Sequence, residues 1–154
     1  MRIPAAWPRR WLAAALLLFA SAAGGLGVTT VSDPWARPAP VHGNTSVFVV
    51  LGTSEDAKIV GARSAFGQVR LTRGKAIVDT VDVTAGKPLA MSPGGVHLTL
   101  RNVNRRLELG DHVTLTLVLR DAQGRTQEVP VDAEVRHRSP LDDERRAHER
   151  GHKH

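Results

Sequence analysis

The sequence contains no cysteine and no tyrosine, and it has only three phenylalanines and three tryptophans among 154 residues. Without cysteine there can be no disulfide, no thiolate metal site, no cysteine nucleophile and no lipidated cysteine. A core with so few aromatic rings has to be mainly aliphatic. Three catalytic signatures are also missing, namely the Gly-x-Ser-x-Gly elbow, the His-Glu-x-x-His helix and a paired-carboxylate motif in an ordered segment. We therefore expect a protein that is not an enzyme.

The N-terminal segment has the composition of a secretory leader. Three arginines within residues 2–10 precede an apolar run over 11–20, and the small residues at 20–22 fit a cleavage site. We predict a signal peptide over 1–22 and an extracytoplasmic location, periplasmic, secreted or on the cell surface of a bacterium. The alternative is an uncleaved membrane anchor, because the apolar stretch up to residue 28 approaches the length of a membrane span.

The formal net charge of +6 belongs mostly to the two ends of the chain. The leader adds three arginines and no acidic residue, and residues 136–154 carry a further small excess of basic residues. The body between them is close to neutral and gathers no basic stripe on one strand. This distribution argues against a nucleic-acid partner.

Apolar and polar residues alternate clearly over residues 91–121. Leu98 and Leu100 share one face of a predicted strand, His97 and Thr99 lie on the other, and 112–119 repeats the same period. Short strand-like stretches recur along the chain, separated by turn residues every 8 to 12 positions or so, at 45–51, 58–62, 68–72, 76–83, 89–91 and 126–135. We predict an all-β, antiparallel Greek-key sandwich or barrel over 23–135, with no helix after the leader.

Proline positions suggest where this sandwich has edges. The proline-rich segment 33–40 is expected to be extended and edge-like, with Trp35 packed against the body. The last strand contains Pro130, which a strand tolerates on an edge.

The C-terminal segment 136–154 is highly charged and has almost no apolar residues, so we predict a flexible, disordered tail. His148, His152 and His154 stand within seven residues. Histidine-rich tracts bind Cu(II), Ni(II) or Zn(II) without needing a fold, which makes these three residues candidate metal ligands. The alternative is a solvated tail in which the histidines have no role.

Several segments, in order, resemble the PCuAC family of bacterial extracytoplasmic copper chaperones. They are 33–37 (DPWAR), 43–48 (GNTSVF), 59–64 (IVGARS), 69–71 (VRL), 93–98 (PGGVHL), 107–111 (LELGD) and 115–117 (LTL). The resemblance covers about residues 31–132 and implies a cupredoxin-like β-sandwich.

The resemblance also implies where a copper site would lie. The resemblance implies a copper site of two histidines and two methionines on the outer face of the sandwich, a set suited to Cu(I). His97 keeps one of these ligands, whereas Thr72, Thr99 and approximately Thr80 stand where the others would be. Met91 falls at an apolar core position and is expected to pack there. The implied site is degenerate, or it has moved to the histidines of the tail.

The resemblance implies an extracytoplasmic copper chaperone-like protein that passes copper to a metalloprotein of the envelope by ligand exchange. The alternative is a sandwich that serves as an interaction module without metal, in which His97 is a surface histidine on a half-exposed strand. A small-ligand or metallophore-binding domain is a third hypothesis, although no pocket signature supports it. His42 and His112 are isolated histidines and weaker ligand candidates.

Overall fold

A computed structural model describes residues 27–151 of the chain. These residues form ten strands and one helix: β1 (Thr29–Ala36), β2 (Thr45–Thr53), β3 (Ala57–Arg63), β4 (Gln68–Arg73), β5 (Ala76–Ile77), β6 (Val81–Val83), β7 (Leu89–Ala90), β8 (Val96–Arg101), β9 (His112–Asp121), β10 (Thr126–Val135) and α1 (Pro140–Gly151). The predicted signal peptide over 1–22 lies outside the described residues, and so do His152 and His154. Within the described part, no helix is both long and apolar enough to cross a membrane.

The strands pair in the order β5-β4-β8-β2-β1-β10-β9-β3-β6, and β7 adds to β2. Every pair is antiparallel except β1 with β10. The sheet curls until β3 and β4 lie against each other, which encloses a mainly aliphatic core that includes Leu98, Leu100 and Met91. The predicted cupredoxin-like all-β architecture is confirmed, and so is the packing role of Met91.

The proline-rich segment is more central than its sequence suggests. β1 lies between β2 and β10 rather than at an edge, and its pairing with β2 shifts between Ser32 and Trp35. Asp33 has φ 50° and Pro34 has no N–H to donate, so the ladder is interrupted there and resumes at Trp35. The edge prediction was wrong at Trp35 and Ala36, which pair with strands on both sides, whereas the predicted burial of Trp35 is correct.

Two other predictions differ from the structure. Residues 76–83 do not form one strand: β5 pairs with β4 and β6 pairs with β3, so the chain crosses between two ends of the sheet order at 78–80. Pro130 pairs with Thr116 of β9, and β1 meets β10 only at Glu134 and Val135. The strand side next to Pro130 is therefore locally an edge, as expected.

The helix α1 corrects the prediction that no helix follows the leader. Ser139 caps it, because its side-chain oxygen accepts a hydrogen bond from the N–H of Leu141 at 3.2 Å, and Pro140 occupies the first turn. Asp142 and Asp143 lie near its N-terminus, and basic residues lie in its last turn, which suits the helix dipole. It buries none of its residues, so it has no apolar period to detect; the flexibility of the tail stays a prediction.

Candidate functional site

His97 lies on β8, between β4 and β2. The β4–β8 register places Thr72 directly opposite His97, and Thr99 is two residues further along on the same face. The hydroxyls of Thr72 and Thr99 are hydrogen-bonded to each other with an Oγ1–Oγ1 distance of 2.8 Å. The fold therefore brings together the three positions that the sequence predicted to share one outer face.

Aromatic side chains cover this part of the outer face. The Phe48 ring of β2 lies 5.9 Å from the His97 ring between centroids, and Trp35 of β1 stacks on Phe48 at 4.5 Å. The guanidinium of Arg37 lies over Phe48, 5.6 Å from its centroid. His97 is consequently only 9% exposed and Phe48 only 1%. The alternative reading of His97 as a surface histidine was wrong.

The imidazole of His97 is held in one orientation. Its Nδ1 lies 3.0 Å from the carbonyl oxygen of Gly95, and since a carbonyl can only accept, Nδ1 carries the proton. Gly95 is itself fixed in a turn, because its N–H donates to the Ser92 carbonyl at 3.0 Å. The backbone contact thus sets the tautomer. It leaves Nε2 as the nitrogen whose lone pair could bind a metal ion.

The body does not supply a metal-binding set around His97. Hydroxyl oxygens are poor partners for a soft ion such as Cu(I), and those of Thr72 and Thr99 already bond each other. Thr80 is elsewhere: it lines a cavity with Lys58 of β3 and Arg120 of β9, at the other end of the sheet order. Within residues 27–151, no three His, Cys, Asp or Glu side chains are grouped to hold a metal ion.

The two isolated histidines of the body have hydrogen-bond partners of their own. The Nδ1 of His42 lies 3.1 Å from the Oδ1 of Asn102, and both residues have positive φ, 62° and 51°. The Nδ1 of His112 lies 2.9 Å from the Oδ1 of Asp132 on the neighbouring strand. Both contacts join adjacent loops or strands, which is a structural role.

The tail leaves the sheet beside the aromatic cluster. Glu134 at the end of β10 pairs with Trp35 of β1. Arg136 and Arg138 both reach Asp143 of α1, at 3.8 and 3.9 Å, so ion pairs connect the first turns of the helix to the segment that follows β10. His148 lies on this helix, whereas His152 and His154 lie outside the described residues.

Sequence reasoning missed the roles of Phe48 and Arg37. A signal for Phe48 was present, because Val47 and Val49 face the core while Phe48 points to the opposite side of the same strand. A strand that is apolar on both faces is covered on both faces. The cation above the ring depends on the turn after β1, and no local pattern encodes it.

Solved structures with this fold include three that are about one-quarter identical to this chain. The apo PCuAC domain from PmoF1 is 25% identical with a TM-score of 0.60, covering 72% of this chain and 95% of that chain. The copper-bound PCuAC domain from PmoF2 is 25% identical with a TM-score of 0.58, covering 71% and 93%. The solution structure of Cu(I)-DR1885 from Deinococcus radiodurans is 25% identical with a TM-score of 0.53, covering 76% and 85%.

No curated protein matches the chain. A model of a protein family does match, over residues 29–131, and that family is described as LpqE-like lipoproteins. None of the 154 residues is a cysteine, so none of them offers the thiol to which a lipoprotein's lipid is attached. The matched region spans the whole sandwich from β1 into β10. By this match and by the likeness of its fold to PCuAC domains, the chain belongs to the LpqE-like family of PCuAC-type β-sandwich domains.

Proposed function

We propose that this protein handles copper outside the cytoplasm, as a chaperone-like carrier that performs no catalysis. The observation that carries the proposal is the likeness to a copper-bound PCuAC domain over 71% of the chain. The leader-like N-terminus and the membership in a family of lipoproteins support the extracytoplasmic location.

Copper is the cargo, and its ligands are the histidines of the tail. The body offers one imidazole, His97, beside two hydroxyls that bond each other. Imidazole suits Cu(II), and several imidazoles in a short segment can bind it without a preformed site. His148, His152 and His154 therefore replace the ligands that Thr72 and Thr99 cannot supply.

The tail starts near enough to His97 for this histidine to serve as an auxiliary ligand beside those of the tail. The order β10-β1-β2-β8 separates the end of the sheet from His97 by three strand spacings, roughly 14 Å at about 4.8 Å each. The twelve residues of α1 span about 18 Å at 1.5 Å per residue. A tail that folds back across Trp35 and Phe48 would reach the Nε2 of His97.

Transfer proceeds by ligand exchange with a copper-accepting metalloprotein of the envelope. Imidazoles of the tail are replaced one at a time by ligands of the partner, so the ion is never released. No bond other than those to copper is made or broken. An exposed tail suits this role, because a partner can approach its side chains directly.

A second candidate function is an interaction module that binds no metal. Two observations favour it, because both leave His97 without accessible partner ligands. The hydroxyls of Thr72 and Thr99 are hydrogen-bonded to each other, and His97 is only 9% exposed. In this case the sandwich is retained as a binding surface and the tail is only a charged, solvated segment.

Copper titration of the mature chain, residues 23–154, tests the proposal. We expect about one equivalent of Cu(II) to bind, with a visible absorption typical of nitrogen ligands, and to pass to a competing chelator. Absence of stoichiometric binding of either Cu(II) or Cu(I) would sink the proposal and leave the interaction module.

A further inference from the structure

Charged side chains are distributed unevenly over the sheet. The strands β4, β8 and β2 contain no aspartate or glutamate, whereas β3, β6, β9 and β10 together carry both signs of charge. In this second group Lys58 pairs with Asp82, and Arg63 pairs with Glu128. The first group has cations but no acidic residue of its own to balance them.

Three exposed arginines lie on the outer face of this first group. The β4–β8 register sets Arg70 beside Thr99, and the β2–β8 register sets Ser46 on the other side of Thr99. The N–H of Arg37, just after β1, donates to the Ser46 carbonyl at 3.1 Å. Arg101 is two residues from Thr99 on the same face. We call Arg37, Arg70 and Arg101, which are all exposed, the basic face.

The arginines of the basic face have no acidic partner. In the part of the chain that the structure describes, none of the three forms an ion pair. The guanidinium of Arg37 lies instead over the Phe48 ring, 5.6 Å from its centroid. Farther across the sheet, Glu134 is paired with Arg136 at 3.8 Å. The basic face is therefore a concentration of positive charge that no carboxylate of the sandwich neutralises.

We infer that the basic face docks an acidic segment of a partner protein. A guanidinium binds a carboxylate through two parallel N–H donors, and the hydroxyl of Ser46 between the arginines can donate to the same groups. The backbones of Arg70 and Arg37 are three strand spacings apart, roughly 14 Å at about 4.8 Å each. An extended segment covers that distance with about four residues, so two carboxylates of one segment can reach both ends of the face.

A protein segment fits the basic face better than a membrane surface does. The large apolar side chains in the middle of this part of the sheet, Phe48 and Trp35, are only 1% and 5% exposed. A surface that lies on a bilayer inserts exposed apolar side chains beside its cations, and these two cannot be inserted. The inference goes beyond the proposed function and holds whether or not the chain carries copper.

Two double variants of residues 23–154 test the basic face. Arg70→Gln/Arg101→Gln removes two of its cations. Lys58→Gln/Arg120→Gln removes two exposed cations that lie opposite each other on β3 and β9, so the net charge changes equally. Each chain is titrated with a synthetic glutamate hexamer at low salt and followed by the NMR shifts of its backbone amides. Urea unfolding checks that both variants remain folded.

In the native chain, the amides of Ser46 and Thr99 should shift as the hexamer is added. Each exposed ion pair is worth up to about fivefold in affinity, so Arg70→Gln/Arg101→Gln should bind about tenfold more weakly. Lys58→Gln/Arg120→Gln should stay within about twofold of the native chain, since it leaves the face intact. Added salt should weaken native binding because the charges are exposed.

Equal weakening in the two double variants would mean that binding follows net charge alone, and it would overturn the basic face. A native chain in which the hexamer shifts no amide of β8 or β2 would overturn it as well. Vesicles of phosphatidylglycerol and phosphatidylcholine are the third arm. If they bind the native chain and the hexamer does not, the partner is a membrane and the inference fails. None of these titrations contains copper, so their failure leaves the proposed function standing.

Discussion

The sandwich and the tail of this protein place their histidines in opposite surroundings. In the sandwich, His97 is held by a backbone hydrogen bond and covered by aromatic rings, yet it has hydroxyls where further ligands would be needed. In the tail, His148 lies on a helix that buries none of its residues, and His152 and His154 follow it in the sequence. The sandwich packs its histidine but offers no further ligand around it, whereas the tail carries the proposed ligands outside the core, so metal binding and folding stability should be separable.

Truncating one leucine in each region should show the largest contrast. Leu100 of β8 is fully buried, so Leu100→Ala should lower the free energy of unfolding by about 2–5 kcal/mol through lost burial and a cavity. Leu141→Ala in α1 should change it by less than about 0.5 kcal/mol, because Leu141 remains exposed. Urea unfolding measures both, and equal losses would mean that the tail is part of the cooperative fold.

Restoring ligands to the sandwich should move metal binding to the body. Thr72→His combined with Thr99→Met places an imidazole opposite His97 and a thioether two residues along, which is a set suited to Cu(I). We expect Cu(I) affinity at least about tenfold higher than that of the native chain. Thr72→Val/Thr99→Val, which removes the hydroxyls and adds no ligand, is the matched control and should show no increase. Identical affinities for the two double variants would show that the sheet does not position these residues as a site.

Acid should destabilise the body through one buried carboxylate, Asp121. Burial alone would raise the pKa of Asp121, but hydrogen bonds and the charge of Arg125, with the N–H of Gln123, outweigh it and hold the pKa below 3.8. A pKa lowered by folding stabilises the protein above the unfolded value, and that stability is lost as the pH falls below 3.8. The stability of Asp121→Asn should therefore decline less steeply in this acid range, as measured by thermal unfolding between pH 2 and 5. A parallel decline in both chains would contradict this assignment.

The ion pairs at the start of α1 should matter least. Asp143 meets Arg136 and Arg138 at 3.8 and 3.9 Å and is about half exposed. Exposed pairs of this kind contribute about 0–1 kcal/mol, so Asp143→Asn should leave global unfolding nearly unchanged. It should lower the helix signal at 222 nm slightly, and added salt should have the same effect on the native chain. A large loss of global stability would mean that α1 is docked more firmly than these contacts indicate.

Much of the fold follows from local alternation, because a half-buried strand must place apolar residues on every second position. The same rule placed Thr72, His97 and Thr99 on one face. It failed at 76–83, where one apolar run serves two strands at different ends of the sheet. It also failed at β1, where Asp33 and Pro34 interrupt a central strand and make it look like an edge.

The sequence failed to predict the burial of His97 and the presence of α1, and the two failures have different reasons. The cover over His97 comes from Trp35 and Phe48, which are distant in sequence and meet it only through strand order. The start of α1 was readable, since Ser139-Pro140 followed by Asp142 and Asp143 is a helix N-terminal pattern. The rest of the helix was not predicted, because an apolar period marks a helix that packs on a core and this helix buries none of its residues.

The most direct test of the account compares Cu(II) titrations of two variants of residues 23–154. One replaces the tail ligands by His148→Ala, His152→Ala and His154→Ala, and the other is His97→Ala. If the tail holds the cargo, the triple variant loses stoichiometric Cu(II) binding while His97→Ala keeps it within about tenfold of the native affinity. Full binding by the triple variant, with loss in His97→Ala, would place the ion in the sandwich and contradict the claim that the tail histidines hold the copper.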